Sequence, residues 1–171
     1  AEQSLKIHNI DTSVLQKKDT DLSDEEKRLK ELIGWEIFWA REMAAAMVAI
    51  PSRGSMYQMY LPGRFLHYDL LAHNIASLFN GGSGSINGKK IAEVGSGSGL
   101  GLMKVAQRDA SIVGLDYSIM AIEFARYLSH HYKVEDKAKL VQGDYLDMPQ
   151  QFLQEAPFDV VYNSGVLEHE R

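Results

Sequence analysis

The sequence predicts an α/β fold: a doubly wound parallel sheet preceded by a helical cap. Three observations carry this expectation. After Gly88, short apolar runs alternate with helical patterns, as right-handed βαβ crossovers require. The first of these runs leads straight into a glycine-rich stretch, "VGSGSGLGL", at the strand-to-helix turn where such sheets take their ligands. Before Gly88 the chain holds two segments of helical character and no strand pattern.

The elements follow in order. Residues 1–21 are polar and aperiodic and are expected to form a flexible N-terminal arm. Ser23 with Glu26 makes a capping box, and Asp24, Glu25 and Glu26 suit the positive end of a helix dipole. A helix is expected from Asp24 to about Ala49, with Pro51 opposing continuation. Leu29, Leu32 and Ile33 share one side of it, while "MAAAMVAI" is apolar nearly all round and calls for a cover. Trp35, Trp39 and Met43 read as core at helical spacing, with a ligand cage as the alternative. The Tyr- and Met-rich loop Gly54–Gly63 precedes a second helix, Arg64–Phe79, with Leu66, Leu70, Leu71, Ile75, Leu78 and Phe79 as its apolar stripe. Gly81 serves as a helix stop and Asn87-Gly88 as a tight turn. The sheet half then reads as strand Lys90–Gly95, helix Leu100–Gln107, strand Ser111–Asp116, helix Ile119–Tyr132, strand Lys139–Gly143, a short helix Pro149–Gln154 and strand Phe158–Asn163. The expected organisation is an arm over 1–21, a helical cap or lid over 22–80 and a ligand-binding, Rossmann-like domain over 81–171.

Composition narrows the partners. The 171 residues suit one domain or one domain with an appendage, and 45% hydrophobic with 24% charged residues is ordinary for a globular protein. A net charge of -5 argues against a nucleic-acid partner, which needs clustered Lys and Arg. No Cys is present, which removes disulfides and thiolate metal sites, and no histidine pair reads as a metal site. The opening residues lack a signal-peptide apolar region, and Met43–Ser52 is far short of the ~20 residues that span a bilayer. The expectation is a cytoplasmic protein without membrane association.

The glycine loop decides between ligands. A dinucleotide fingerprint, G-x-G-x-x-G/A, fails in both registers: Gly95 and Gly97 are followed by Leu100, and Gly97 and Gly99 by Leu102. A phosphate loop needs Gly-Lys-Ser/Thr, which is absent. What stands here is Glu93-x-Gly95-x-Gly97-x-Gly99.

That pattern resembles motif I of the class I S-adenosylmethionine-dependent methyltransferases. "SIVGLDYS" puts Asp116 at the end of the second strand, "LVQGDYLDMP" puts Asp144 after the third, and "FDVVYNSGVLEHE" is the fourth strand and its exit loop. The resemblance covers about residues 89–169, and "NSGVLEHE" is most similar to the broad small-molecule, type-11-like branch. It implies S-adenosyl-L-methionine as the methyl donor, held by Glu93, Gly95, Ser96, Gly97, Gly99, Asp116, Tyr117, Gly143, Asp144, Tyr145 and Asn163. Asp116 would accept from the ribose hydroxyls, Asp144 would read the adenine amino group, and Glu93 would organise the loop N–H groups and the donor's amino group. Two readings stay open for both aspartates, ligand binding and capping of the following helix. Tyr117 and Met120 fit either the adenine or the core, and Arg64 either the donor's carboxylate or solvent.

The implied reaction is in-line attack of a small-molecule acceptor on the donor's methyl, favoured by alignment and exclusion of water. His169 is the candidate base for a hydroxyl acceptor, or else shapes the pocket. A non-catalytic donor-binding regulatory or scaffold module is the alternative. In the family's sheet the first four strands run 3-2-1-4 and later strands join beside the fourth. Here "FDVVYN" would be an unprotected edge. The expectation is that a C-terminal continuation of a longer chain, or another copy in a homo-oligomer, completes it.

Overall fold

The computed structural model describes residues 12–52, 62–79 and 85–166. Its elements are α1 (Asp24–Ser52), α2 (Pro62–Ser77), β1 (Lys90–Val94), α3 (Leu100–Ala106), β2 (Ser111–Asp116), α4 (Ile119–Tyr132), β3 (Ala138–Gln142), α5 (Gln150–Leu153) and β4 (Val160–Tyr162). The four strands form one parallel sheet in the order β3-β2-β1-β4, as expected. β1 lies between β2, with Ile91 opposite Ile112, and β4, with Glu93 opposite Tyr162.

The topology sorts the helices. The crossovers β1–α3–β2 and β2–α4–β3 step in one direction, so right-handedness puts α3 and α4 on the same face. There Ile91 and Ile112 pack with Leu102, Met103, Phe124 and Leu128. The step from β3 back across to β4 reverses direction and puts α5 on the other face, where Phe152 covers Ala92, Val113, Leu115 and Val141. That reversal, between β1 and β4, is the switch point at which such sheets open a ligand crevice.

The N-terminal half differs from expectation in three places. Residues 12–21 are not an aperiodic arm: they form 3-10 turns at Ser13–Gln16 and Asp19–Asp21, and Val14 is buried with Leu22 and Ile33 of α1. The capping box forms as expected, with Glu26 N–H donating to Ser23 Oγ at 3.2 Å and Ser23 N–H to Glu26 Oε2 at 2.9 Å. α1 then runs through Pro51 to Ser52. On α2 the stripe is rotated. Leu66, Leu70 and Leu78 are 64%, 53% and 69% exposed, while Ala72, Ile75 and Ala76 are buried. The cause is close packing on α3. A Cβ built on Gly101 would stand 3.1 Å from Tyr68 and 3.3 Å from Leu71, so Tyr68 and Leu71 take the contact face and Leu66, Leu70 and Leu78 are left outside. Among the described residues no helix is long and apolar enough to cross a membrane.

β4 is shorter than the expected Phe158–Asn163 and pairs with β1 alone among the described residues. Its entry is fixed by Asp159, whose carboxylate accepts from Lys90 N–H at 2.8 Å and from Lys89 Nζ at 2.9 Å.

The rotated face of α2 has a measurable consequence. Ile75→Ala should cost about 2–5 kcal/mol in urea unfolding and Leu70→Ala less than about 0.5 kcal/mol. Equal losses would show that the leucine face is the buried one.

Candidate functional site

The β1–α3 turn is built by three glycines in left-handed backbone, Gly95, Gly97 and Gly99, with φ of 68°, 52° and 65°. The turn is pinned to the end of β2: Gly95 and Ser96 both donate their N–H to the Leu115 carbonyl, at 2.7 and 3.0 Å. Asp116 completes the clamp. Its Oδ2 accepts from Gly97 N–H at 2.8 Å and its Oδ1 from Ser118 N–H at 2.9 Å, while its backbone carbonyl accepts from Gly143 N–H at 2.9 Å. One residue thus gathers the ends of β1, β2 and β3.

Burial governs the acids. Asp116 is 7% exposed, and desolvation pushes its carboxyl up to about 6, against the pull of the Ser118 and Gly97 N–H groups and with a further push from the charge of Glu36. Glu93, 3% exposed, is pushed up to about 8 by desolvation, moderated by a hydrogen bond from the Tyr162 hydroxyl at 3.1 Å and raised further by Asp116. Burial also raises the Tyr117 hydroxyl, with Glu31 adding to the shift. Asp144 is exposed, and its Oδ1 accepts from Leu146 N–H at 2.8 Å.

These residues surround one cavity of about 790 Å³. Glu93, the loop Gly95–Ser98, Asp116 and Tyr117 line one part of it, Gly143–Leu146 another, and Tyr68 with Ser164–Val166 the side towards β4. The remaining wall is α1, through Arg28, Leu32, Trp35 and Trp39 among others. Asn163 does not line the cavity, and His169 lies outside the described residues, as does the side chain of Arg64.

The glycines divide by what they face. A Cβ on Gly97 would stand 2.5 Å from the Trp39 indole, and one on Gly95 2.0 Å from Val166. Both positions open towards the cavity, and protein side chains stand over them. Gly99 faces Ala125 and Met103, each 3.2 Å from such a Cβ, so it serves the packing of α3 on α4. Gly143 makes room for Pro149, 2.6 Å from its would-be Cβ.

Two contributors escaped the sequence reading, Glu36 and Tyr162. Trp35 and Trp39 wall the cavity, and Trp39 also packs against the core cluster as expected. Glu36, between them, is buried, and its carboxylate accepts from Ile119 N–H at 2.7 Å and Met120 N–H at 3.0 Å. It caps α4 from another element, beside the local cap in which Ser118 Oγ accepts from Ala121 N–H at 3.1 Å. A lone acid inside the apolar "WEIFW" was the available signal. Tyr162, the second, stands across the β1–β4 pairing from Glu93.

Two outcomes follow from this geometry. The folded protein holds protons on Glu93 and Asp116 that the unfolded chain has released, so each takes stability away as pH rises: from about 3.8 to 6 for Asp116 and from about 4.5 to 8 for Glu93. The depressed carboxyls of Glu26, Glu135 and Asp159 act in the opposite sense, at lower pH. Glu93→Gln should therefore gain in Tm on the parent as pH rises through that window, and melting curves that stay parallel would contradict the assignment. Glu36→Ala, which strips the acceptor from two helix-start N–H groups, should cost about 1–3 kcal/mol in urea unfolding.

The model of the methyltransferase domain family matches residues 86–171. A sterol 24-C-methyltransferase of Debaryomyces hansenii is 35% identical over 81 residues, which are 47% of this chain and 21% of that protein. An S-adenosyl-L-methionine-dependent methyltransferase structure from Methanococcus maripaludis aligns with 25% identity and a TM-score of 0.50, over 61% of this chain and 44% of that one. Another, from Thiobacillus denitrificans in complex with S-adenosyl-L-homocysteine, aligns with 25% identity and a TM-score of 0.42, over 47% and 31%. The chain thus spans about a fifth of the curated relative's length. Since the family model begins at the turn before β1 and takes in the glycine loop and all four strands, this chain belongs to the methyltransferase domain family.

Proposed function

We propose that the cavity binds S-adenosyl-L-methionine and that the protein transfers its methyl group to a small-molecule acceptor. The observation that carries this reading is electrostatic. Glu93 and Asp116 are buried beside the glycine loop, and no Lys, Arg or His forms an ion pair with either among the described residues. Two buried carboxyls whose ionisation is opposed by desolvation favour a ligand that brings positive charge beside them. The donor brings two cationic groups, an ammonium and a sulfonium.

Further features fit such a ligand. Ser96 lines the cavity, and its buried hydroxyl has no hydrogen-bond partner among the described residues. Each Asp116 oxygen spends one lone pair on a backbone N–H, which leaves acceptor capacity for ribose hydroxyls. Asp144 is exposed at the end of β3, with its second carboxylate oxygen available to an adenine amino group. Trp39 stands over Gly97, so a ligand reaching that point of the loop requires the indole to give way.

When bound, the donor supplies an electrophilic methyl on a sulfonium. The protein's part is to hold and to exclude. Asp116 and Glu93 orient the ligand, while Leu29, Leu32, Trp35 and Trp39 of α1 keep water from the cavity. Alignment of this kind accounts for up to about 7–11 kcal/mol in oriented model reactions. The apolar α1 wall, and the name of the sterol 24-C-methyltransferase relative, support a small-molecule acceptor. His169 remains the candidate base where the acceptor is a hydroxyl.

Both tryptophans of the chain, Trp35 and Trp39, line the cavity, so intrinsic fluorescence reports its occupancy. S-adenosylmethionine and S-adenosylhomocysteine should change that signal saturably and NAD should not. Asp116→Asn keeps an acceptor for the loop but loses the charge, and should weaken S-adenosylhomocysteine at least about tenfold. Preference for NAD, or no response to either sulfur compound by fluorescence or calorimetry, would end this reading.

A further inference from the structure

We infer that Tyr162, through its hydroxyl on Glu93, is a positioning residue that sets the pH at which the cavity accepts the cationic amino-acid end of its ligand. The inference rests on the proposed donor site, and it adds a residue of β4 that does not itself line the cavity.

The geometry is specific. Glu93 and Tyr162 stand opposite one another in the β1–β4 register, so the contact comes from the sheet itself and not from a surface loop. The phenol donates to Glu93 Oε2 at 3.1 Å. Room for the ring is made on α3, where a Cβ on Gly101 would stand 3.4 Å from the Tyr162 hydroxyl. Glu93 lines the cavity, whereas Tyr162 does not, so the phenol acts on the ligand only through the carboxylate.

The charges around the pair have one direction. From β2, Asp116 acts on Glu93 and makes its ionisation harder. From α2, Tyr68 acts on Tyr162. From α1, Glu36 acts on Asp116. On α3, Lys104 is engaged by Asp69 of α2 at 3.3 Å. Against this negative surround, the Tyr162 hydroxyl favours the ionised carboxylate. Burial pushes the Tyr162 phenol itself far up, so it stays protonated and remains a donor throughout the range in which Glu93 titrates. Glu93 must be ionised to attract an ammonium group. Loss of the hydroxyl should therefore move its ionisation, and cationic ligand binding with it, to higher pH.

The test is calorimetric binding of two probes between about pH 6 and 9, the range of Glu93 ionisation. S-adenosylhomocysteine carries the amino-acid end, and 5′-methylthioadenosine lacks it. In the parent protein the first should bind more tightly as pH rises towards 8, and the second should show little of this trend. Tyr162→Phe should move the S-adenosylhomocysteine profile up by about one pH unit, a loss of about tenfold at neutral pH, and leave methylthioadenosine unchanged. Tyr162→Met removes the same donor and makes the same prediction should the Phe variant fail to fold. An unmoved profile, or equal loss of both probes at every pH, overturns the role of Tyr162. Glu93→Gln separates the two levels: it should flatten the profile, and if it leaves S-adenosylhomocysteine binding untouched, the assignment of Glu93 to the donor fails and the inference fails with it. Absence of binding by both probes to the parent protein overturns the donor site as a whole.

Discussion

The side chain of Asp116 holds the candidate site together. Its two oxygens take N–H groups from the glycine turn and from the residue before α4, while its backbone receives the end of β3. A buried carboxylate is costly, and the charge of Glu36 adds to that cost. Backbone N–H groups aimed at its oxygens offset part of it. The same hydrogen bonds give the turn its shape, because Gly97 can present its N–H only in the left-handed conformation that it adopts. The acid that the proposed reading sets against the ligand is thus also the acid that shapes the turn, and the capping and binding readings of Asp116 are compatible.

Most of the sheet half was legible in the sequence. Apolar runs such as "SIVGLD" and "KIAEV" carry their own strand signal, and turn chemistry at Asn87-Gly88 and Gly95–Gly99 marks where they begin and end. Strand order followed from the family resemblance. Less legible was everything that depends on two distant elements meeting. The apolar face of α2 could not be read from its leucines, since the face is chosen by Gly101 on α3, which admits Tyr68 and Leu71 closely. Trp35 and Trp39 have the spacing of core residues, and nothing local says that a cavity lies beneath them. The individual roles of Gly99 and Gly143 were likewise invisible. Both spare a side chain to let protein pack against protein, a need indistinguishable in sequence from making room for a ligand.

The two faces of the sheet are unequal in a way that suits the site. The α2–α3–α4 face carries the large apolar cluster, and the other carries a smaller one around Phe152. The cavity opens at the strand ends between these layers. Its floor is set by the ends of β1, β2 and β3, joined by hydrogen bonds that involve no residue of α1. Variation in α1 and in the Ser164–Val166 side can therefore reshape the cavity while leaving the floor as it is.

Glu36 changes what counts as a module here. The composition shift near residue 81 looks like a border, with a cap before it and a complete binding unit after it. Yet the first turn of α4 is satisfied partly by a carboxylate that arrives from the other side of that border. The catalytic-type domain is consequently not self-sufficient in hydrogen bonds. A lineage that exchanged its N-terminal helix for another would have to bring an acceptor to the same two N–H groups or leave them unpaired. Recombination at this junction is constrained by the helix start it would expose, more than by the loop sequence where the break would fall.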